Sequence, residues 1–279
     1  MFTKVEVSNS GGTLTLQLGD TSSGIFVQEI TGLDPVKATI QSSSFSNQDG
    51  AVFQNSRRDT RNITIQLGLT PDPATSTVRT LRQQLYAFFM PKSTVTMKFF
   101  VDDVDDASED GYQIDGVVES CDTAMFAQEA IVNISIICFD PDFIDPIPVI
   151  LTGATVSTTA MTDIAYPGTS ETGMQLSVQF DREVDNFTVY FSSPGSAVRT
   201  MDVVMPGGFL AGDIMNISSE YGQKGAYLVR DGGDSQALYA ISPQSFWPKL
   251  TPGANSIRIQ AFGAAVPTSI SYSVRYGAL

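Results

Sequence analysis

The chain has 279 residues, a formal net charge of −14 and no histidine. That length allows two domains with full cores. The charge argues against nucleic acid or an anionic membrane as partner, since both reward a basic surface. The missing histidine removes Ser-His-Asp and Cys-His catalysis, His-ligated zinc and the usual pH switch. Two cysteines make no disulfide framework in so long a chain, and both read as free thiols, roughly 20 Å apart along a shared hairpin at ~3.3 Å per residue. Residues Met1 to Ser10 lack the apolar centre of a signal peptide, and no run approaches the ~20 apolar residues of a membrane helix. Folding in a cytoplasm, without membrane insertion, is the expectation.

Thr13 to Leu18 alternates apolar and polar residues between glycine turns and reads as a strand, followed by strands at Ile25 to Ile30 and Val36 to Gln41. Ser42 to Gly50 is a polar loop, and Ala51 to Phe53 resumes the sheet. Arg57, Arg58 and Arg61 form the only basic cluster; it reads either as a solvated patch or as a contact with acids on a neighbouring copy. Ile63, Ile65, Leu67 and Leu69 then alternate strictly.

Between Thr75 and Pro91 the period changes. Val78, Leu81, Leu85, Phe88 and Phe89 fall on one helical face with Ala87 beside them, while Arg79, Arg82, Gln83 and Gln84 lie opposite. Threonine and serine hydroxyls offer the N-cap, and Pro91 forbids continuation. Such a helix needs a sheet to lie on.

Ser93 to Val101 reads as a strand running into an acidic stretch that holds Asp102, Asp103, Asp105 and Asp106. Its carboxylates repel one another, so it is expected as an exposed hairpin tip; calcium-loop spacing fails at Ala107 and Ser108. Tyr112 to Glu119 and Ile131 to Phe139 complete the sheet, and the isoleucines of the latter suit a central strand buried on both faces. Pro141, Pro146 and Pro148 then stiffen a connector. Charge divides there: nine basic and twenty acidic side chains up to residue 145, seven and ten beyond. The domains are therefore placed at 1–145 and 146–279.

The second half is purely β. Met174 to Phe180, Phe187 to Phe191, Val198 to Met205, Asp213 to Ser218, Ala226 to Arg230, Ala237 to Ile241, Ser256 to Gln260 and Ser269 to Tyr276 read as strands, with Asp231-Gly232-Gly233-Asp234 a hairpin turn. This spacing predicts a jelly-roll or lectin-like sandwich. Trp247 sits in a proline-flanked corner that either plugs one end of the sandwich or stacks on a sugar ring. No acid stands in an apolar setting that would raise its pKa, and a glycosidase reading gains nothing further. No enzyme activity, cofactor or metal is expected.

The order of Ile30-Thr31-Gly32-Leu33-Asp34-Pro35, Asp49-Gly50 before Phe53, Arg61-Asn62-Ile63-Thr64-Ile65, the helix ending Leu85-Tyr86-Ala87-Phe88-Phe89-Met90-Pro91, and Ile134 to Phe143 resembles the phage distal tail protein family. Gly212-Asp213 before Ile217 and Ser245 to Ile257 are similar to that family's second domain. The resemblance implies a mainly β subunit: an N-terminal β-sandwich or barrel-like ring domain with one α-helix, then a galectin-like β-sandwich. It also implies a homo-oligomeric ring, usually of six, between tail tube protein and tail-tip hub protein, and a platform for fibre or receptor-binding proteins. The genome would pass through its channel without specific binding. The protein would reside in the virion at the tail tip, assembled in the host cytoplasm. Arg57, Arg58, Arg61 and the acids from Asp102 to Asp106 are the candidate inter-subunit contacts, and Trp247 the candidate carbohydrate contact.

Overall fold

Alternating burial organises the first half of the chain in a computed structural model that describes residues 2–18, 22–44, 46, 49–72, 74, 76–101, 111–123 and 130–279. The acidic stretch, with Asp102, Asp103, Asp105 and Asp106, lies outside the described residues. The chain divides into two compact units: unit 1 holds Met1–Pro146 together with Tyr276–Leu279, and unit 2 holds Ile147–Arg275.

Unit 1 contains strands β1 (Phe2–Asn9), β2 (Gly12–Gln17), β3 (Ile25–Thr31), β4 (Ala38–Ser43), β5 (Val52–Arg58) and β6 (Arg61–Leu69), and helix α1 (Val78–Phe89). Strands β7 (Thr94–Val101), β8 (Tyr112–Thr123), β9 (Ile131–Cys138) and β10 (Phe143–Ile144) follow. Seven of these form one antiparallel path, β2-β1-β7-β8-β9-β6-β3, with β10 beside β8. The end strands β2 and β3 approach within 8 Å, so the sheet curls around its own core. Of the two expected forms, the curled, barrel-like one is present. Val5, Val7, Ile63, Ile65, Leu67, Met97, Phe99, Ile134 and Ile136 point into it with no exposure. Each such side chain contributes about 1.5–3 kcal/mol of transfer free energy.

Helix α1 begins where the hydroxyls allow. Thr77 accepts from the Thr80 amide while the Thr80 hydroxyl accepts from the Thr77 amide, a reciprocal cap. Leu81, Leu85 and Phe89 are buried, Val78 and Phe88 half-buried. Ala87 is exposed, and its carbonyl accepts instead from the Asn9 side chain at 3.0 Å. The helix lies against β1 and β8, with Tyr86 Oη 3.1 Å from Thr123 Oγ1.

Differences from the sequence expectations have physical causes. Strand β1 is read there only as a non-signal segment, yet Val5 and Val7 alternate with Lys4, Glu6 and Ser8, the half-buried signature. Strand β9 is buried on one face, not two: Val132, Ile134, Ile136 and Cys138 point inward while Ile131 and Ile137 are half-exposed. Its register with β8 also slips at a bulge near Glu119, so Cys121 faces Ile134 and Cys138 lies beside Gly116. Finally, Tyr276–Leu279 belongs to unit 1, so unit 2 is an insertion with two chain connections.

Unit 2 contains β11 (Val149–Ala154), β12 (Thr162–Tyr166), β13 (Thr172–Gly173), β14 (Gln175–Gln179), β15 (Val184–Ser192), β16 (Arg199–Phe209) and β17 (Ile214–Ser218). It continues with β18 (Gly225–Arg230), β19 (Gly233–Gln236), β20 (Lys249–Leu250), β21 (Gly253–Ala261) and β22 (Pro267–Tyr272). A six-stranded sheet, β11-β22-β14-β17-β18-β19, and a four-stranded one, β12-β21-β15-β16, make the sandwich. Leu176, Val178, Met215 and Ile217 of the first and Phe187, Val189, Met201 and Val203 of the second are buried, with Phe180 stacked on Phe209 at 4.3 Å. Asp231 and Gly232, both at positive φ, turn β18 into β19 as the sequence predicts. Ala237 to Ile241 is no strand: Leu238–Ala240 forms a 3-10 turn, and Ala237 and Ala240 are its buried points.

Candidate assembly surface

Among the described residues, strands β4 and β5 pair only with each other, from Ala38↔Arg58 to Ser43↔Val52. Every residue of β5 and the first five of β4 are exposed, including Ile40 at 66 %, Val52 at 49 % and Phe53 at 63 %. An isolated two-stranded hairpin is marginal in water, and its outer edges leave backbone donors and acceptors unpaired. The hairpin is fixed at its base, where the Asp59 amide donates to Lys37 O at 3.0 Å and Thr39 Oγ1 donates to the Asp59 carboxylate at 2.9 Å. Its body carries apolar side chains that leave about half or more of their surface open to solvent.

The basic cluster separates into three fates. Arg57 is exposed on β5. Arg58 forms a two-pronged ion pair with the buried carboxylate of Asp142, its Nη2 donating to Oδ2 at 2.8 Å. Arg61 is 1 % exposed and is no surface residue. Its Nε donates to Pro141 O at 2.7 Å, Nη1 to Gly32 O at 2.6 Å and Asp34 O at 2.8 Å, and Nη2 to Gly277 O at 2.6 Å. The guanidinium also lies 4.5 Å from the Phe143 ring centre. Burial lowers its pKa from the usual arginine value, and the nearby charges of Asp142 and Asp34 oppose that. The motifs around Gly32, Asp34, Arg61 and Pro141 to Phe143 are thus one buried clasp: a rigid fork answered by carbonyls from three separate segments. As an inter-subunit contact Arg61 is corrected, because its side chain is buried and four of its five N–H donors are spent internally.

Unit 2 repeats the device once. Arg230 Nε donates to Asp213 Oδ1 at 2.9 Å and Nη2 to Oδ2 at 2.6 Å, and the Leu210 amide donates to the same carboxylate at 2.8 Å. The hydrogen bond from Arg230 holds the Asp213 carboxyl below the usual carboxylate range. Burial pushes the thiols up, Cys121 to about 11 and Cys138 to about 12, so both are poor nucleophiles at neutral pH. Among the described residues no three Cys, Asp or Glu side chains gather as a metal site. At the proline-flanked corner, buried Leu250 and Pro248 supply the anchor, with Pro248 O accepting from Ser219 Oγ at 2.6 Å. Trp247 itself is half-buried, under the Lys224 ammonium at 4.5 Å.

Among the exposed apolar residues of the hairpin, Phe53 stands in the sequence motif and in the predicted strand from Ala51, whereas Ile40 and Val52 carry no expected contact. Three large apolar residues within a Ser/Asn/Gln-rich stretch are the available signal.

Comparison with known proteins adds to this geometry. Residues 167–276 match the family model of a siphovirus-type tail component, C-terminal domain. By structure the chain is similar to the Dit protein of phage SPP1, described as a paradigm of the hub adsorption apparatus in phages infecting Gram-positive bacteria. That likeness has a TM-score of 0.70 and 17 % identity, over 97 % of this chain and 98 % of the other. At that identity it is a likeness of fold. Chains of the phage P2 baseplate in its activated conformation, with calcium and with strontium, align over 99 % of both chains at TM-scores of 0.47 and 0.45 and identities of 7 % and 8 %. No curated protein matches the chain by sequence. The resemblance carried by the motifs is thus met by sequence over residues 167–276, and the likeness along 97 % of the chain is one of fold.

Proposed function

We propose, with the siphovirus-type tail component match of unit 2 as premise, that this chain is a distal tail protein: a structural, non-enzymatic subunit of a phage tail tip. Copies join into a ring of six that links the tail tube protein to the tail-tip hub protein, and the ring serves as platform for fibre or receptor-binding proteins. The coarse role, a tail component of the virion, rests on the family match of residues 167–276. The ring rests on one observation: the β4–β5 hairpin exposes Ile40 and Phe53 with unpaired strand edges, and a neighbouring copy is the partner always at hand. A closed ring satisfies such edges on every subunit, since each hairpin finds the same surface next door. Arg57, on this hairpin, and the acids from Asp102 to Asp106 supply opposite charges for that contact. An acidic first half, with twenty acidic against nine basic side chains, suits a channel that passes DNA without holding it. Assembly takes place in the host cytoplasm.

Negative-stain electron microscopy of the purified full-length chain tests this reading. Annular particles with sixfold class averages are expected. A uniform field of single-subunit particles at micromolar concentration, in virion-like buffer, contradicts it.

A further inference from the structure

Two clefts of unit 2 share one wall, Lys224. The first, about 780 Å3, runs over the outer face of the six-stranded sheet. Its floor is made of neutral side chains in register: Ser177 pairs with Asn216 on one side and Ser269 on the other, and Gln175, whose amide donates to the Glu220 carboxylate at 2.8 Å, pairs with Ser271. Among the described residues, the side chains of Ser177, Asn216, Ser269 and Ser271 hold no hydrogen bond. Tyr227, 44 % exposed, stands opposite Asn216. Solvated sheet faces are ordinarily stocked with charged residues; here hydroxyls and amides are grouped beside an aromatic plane, which is the chemistry that meets sugar hydroxyls and ring faces.

The second cleft, about 480 Å3, is more basic. Arg199, Lys224 and Lys249 line it, three of the seven basic residues beyond position 145. Lys249 is paired with Glu171 at 2.7 Å. Among the described residues Arg199 and Lys224 have no carboxylate partner; they rest on aromatic rings, Arg199 4.9 Å from the Phe246 centre and Lys224 4.5 Å from Trp247. In a chain of net charge −14, with 30 acids available, two cations left without carboxylates beside two half-open aromatic rings make a local anion site.

We propose that unit 2 binds an anionic saccharide along these clefts. Neutral sugar hydroxyls lie on the Ser177–Asn216 floor, a ring face packs against Trp247, and a carboxylate or phosphate sits at Lys224 and Arg199. This goes beyond the ring and does not rest on it: a ring with no sugar affinity and a sugar-binding monomer are both physically complete.

Trp247 is the sole tryptophan, so its fluorescence reports the site directly. The full-length chain is titrated at low salt with hexagalacturonate, with its neutral methyl ester, with phosphorylated mannopentaose and with neutral mannopentaose. At least one anionic probe is expected to bind about tenfold tighter than its neutral counterpart, and to weaken as salt rises. Lys224→Gln and Arg199→Gln, both at exposed positions, each reduce that affinity about tenfold without changing the melting temperature, read by calorimetry. Which anionic probe responds separates the carboxylate from the phosphate. Equal binding of charged and neutral probes, no response to any of the four, or equally tight binding of an oligothymidylate overturns the proposal. The assembly state of the same samples is recorded separately, so failure here leaves the ring reading where it stands.

Discussion

Arg61 and Gly277, 216 positions apart in the chain, are joined by a 2.6 Å hydrogen bond from Nη2 to the glycine carbonyl. That bond, with Tyr276 set edge-on to Tyr112 at 5.1 Å and the Leu279 amide donating to Leu33 O at 3.2 Å, ties the C-terminal tail into unit 1. Removing Tyr276–Leu279 is therefore expected to destabilise unit 1, although those residues follow unit 2 in the sequence. Arg61→Ala leaves buried carbonyls unanswered and is expected to cost about 3–5 kcal/mol. Arg61→Lys is expected to recover less than half of that, because an ammonium cannot span the three segments as a fork. Urea denaturation, with protection of β6 amides followed by hydrogen exchange, measures both.

Gly32→Ala tests the same clasp from the other side. Gly32 has φ of +89°, and a Cβ there would stand 2.0 Å from Asn62 O. Backbone must move, and the Gly32 carbonyl moves with it away from Arg61. A loss of about 2–4 kcal/mol is expected. A melting temperature within a degree of wild type would show that the turn yields freely.

Much of this fold is legible in the sequence, and where it is not the reason is local. Helix α1 announces itself by the spacing of Leu81, Leu85 and Phe89 and by its Thr77–Thr80 cap. Strand β6 does so by strict alternation. Strand β9 misleads, since Ile131 and Ile137 are apolar yet half-exposed, and hydrophobicity alone does not tell one buried face from two. The basic cluster misleads more deeply. Three nearby arginines look alike as charges, but Arg61 begins an inward-facing alternation, Arg61, Ile63, Ile65, that sends its guanidinium to the core side. The return of Tyr276–Leu279 to unit 1 depends on contacts hundreds of positions apart, which no local pattern carries.

The Asp213–Arg230 pair predicts a pH dependence of unit 2. The folded-state pKa of Asp213 is lowered, so its contribution is fully present above the unfolded value of about 3.9 and is lost as pH falls through the folded value. Asp213→Asn does not titrate. Its stability deficit is expected to be constant from neutral pH to about pH 5 and to shrink below about pH 3.9. A deficit unchanged down to pH 2, by urea melts at each pH, would remove the charge from the explanation.

The two thiols are expected to resist alkylation. With Cys138 pushed up to about 12 and Cys121 to about 11, thiolate is scarce at pH 8, and Cys138 has no exposure. Native protein is expected to take up iodoacetamide at least about a hundredfold more slowly than protein in urea, with Cys121 reacting first, as read by mass spectrometry.

The central claim is that copies of unit 1 complete one another through the β4–β5 hairpin. Ile40→Asp with Phe53→Asp alters only side chains that are 66 % and 63 % exposed, so folding is expected to stay within about 0.5 kcal/mol of wild type. The decisive measurement is sedimentation velocity of the full-length wild type and of this double variant at matched concentration. The account predicts a ring-sized oligomer for the wild type and a folded monomer for the variant; an identical oligomer from both, or a monomer from both, contradicts it.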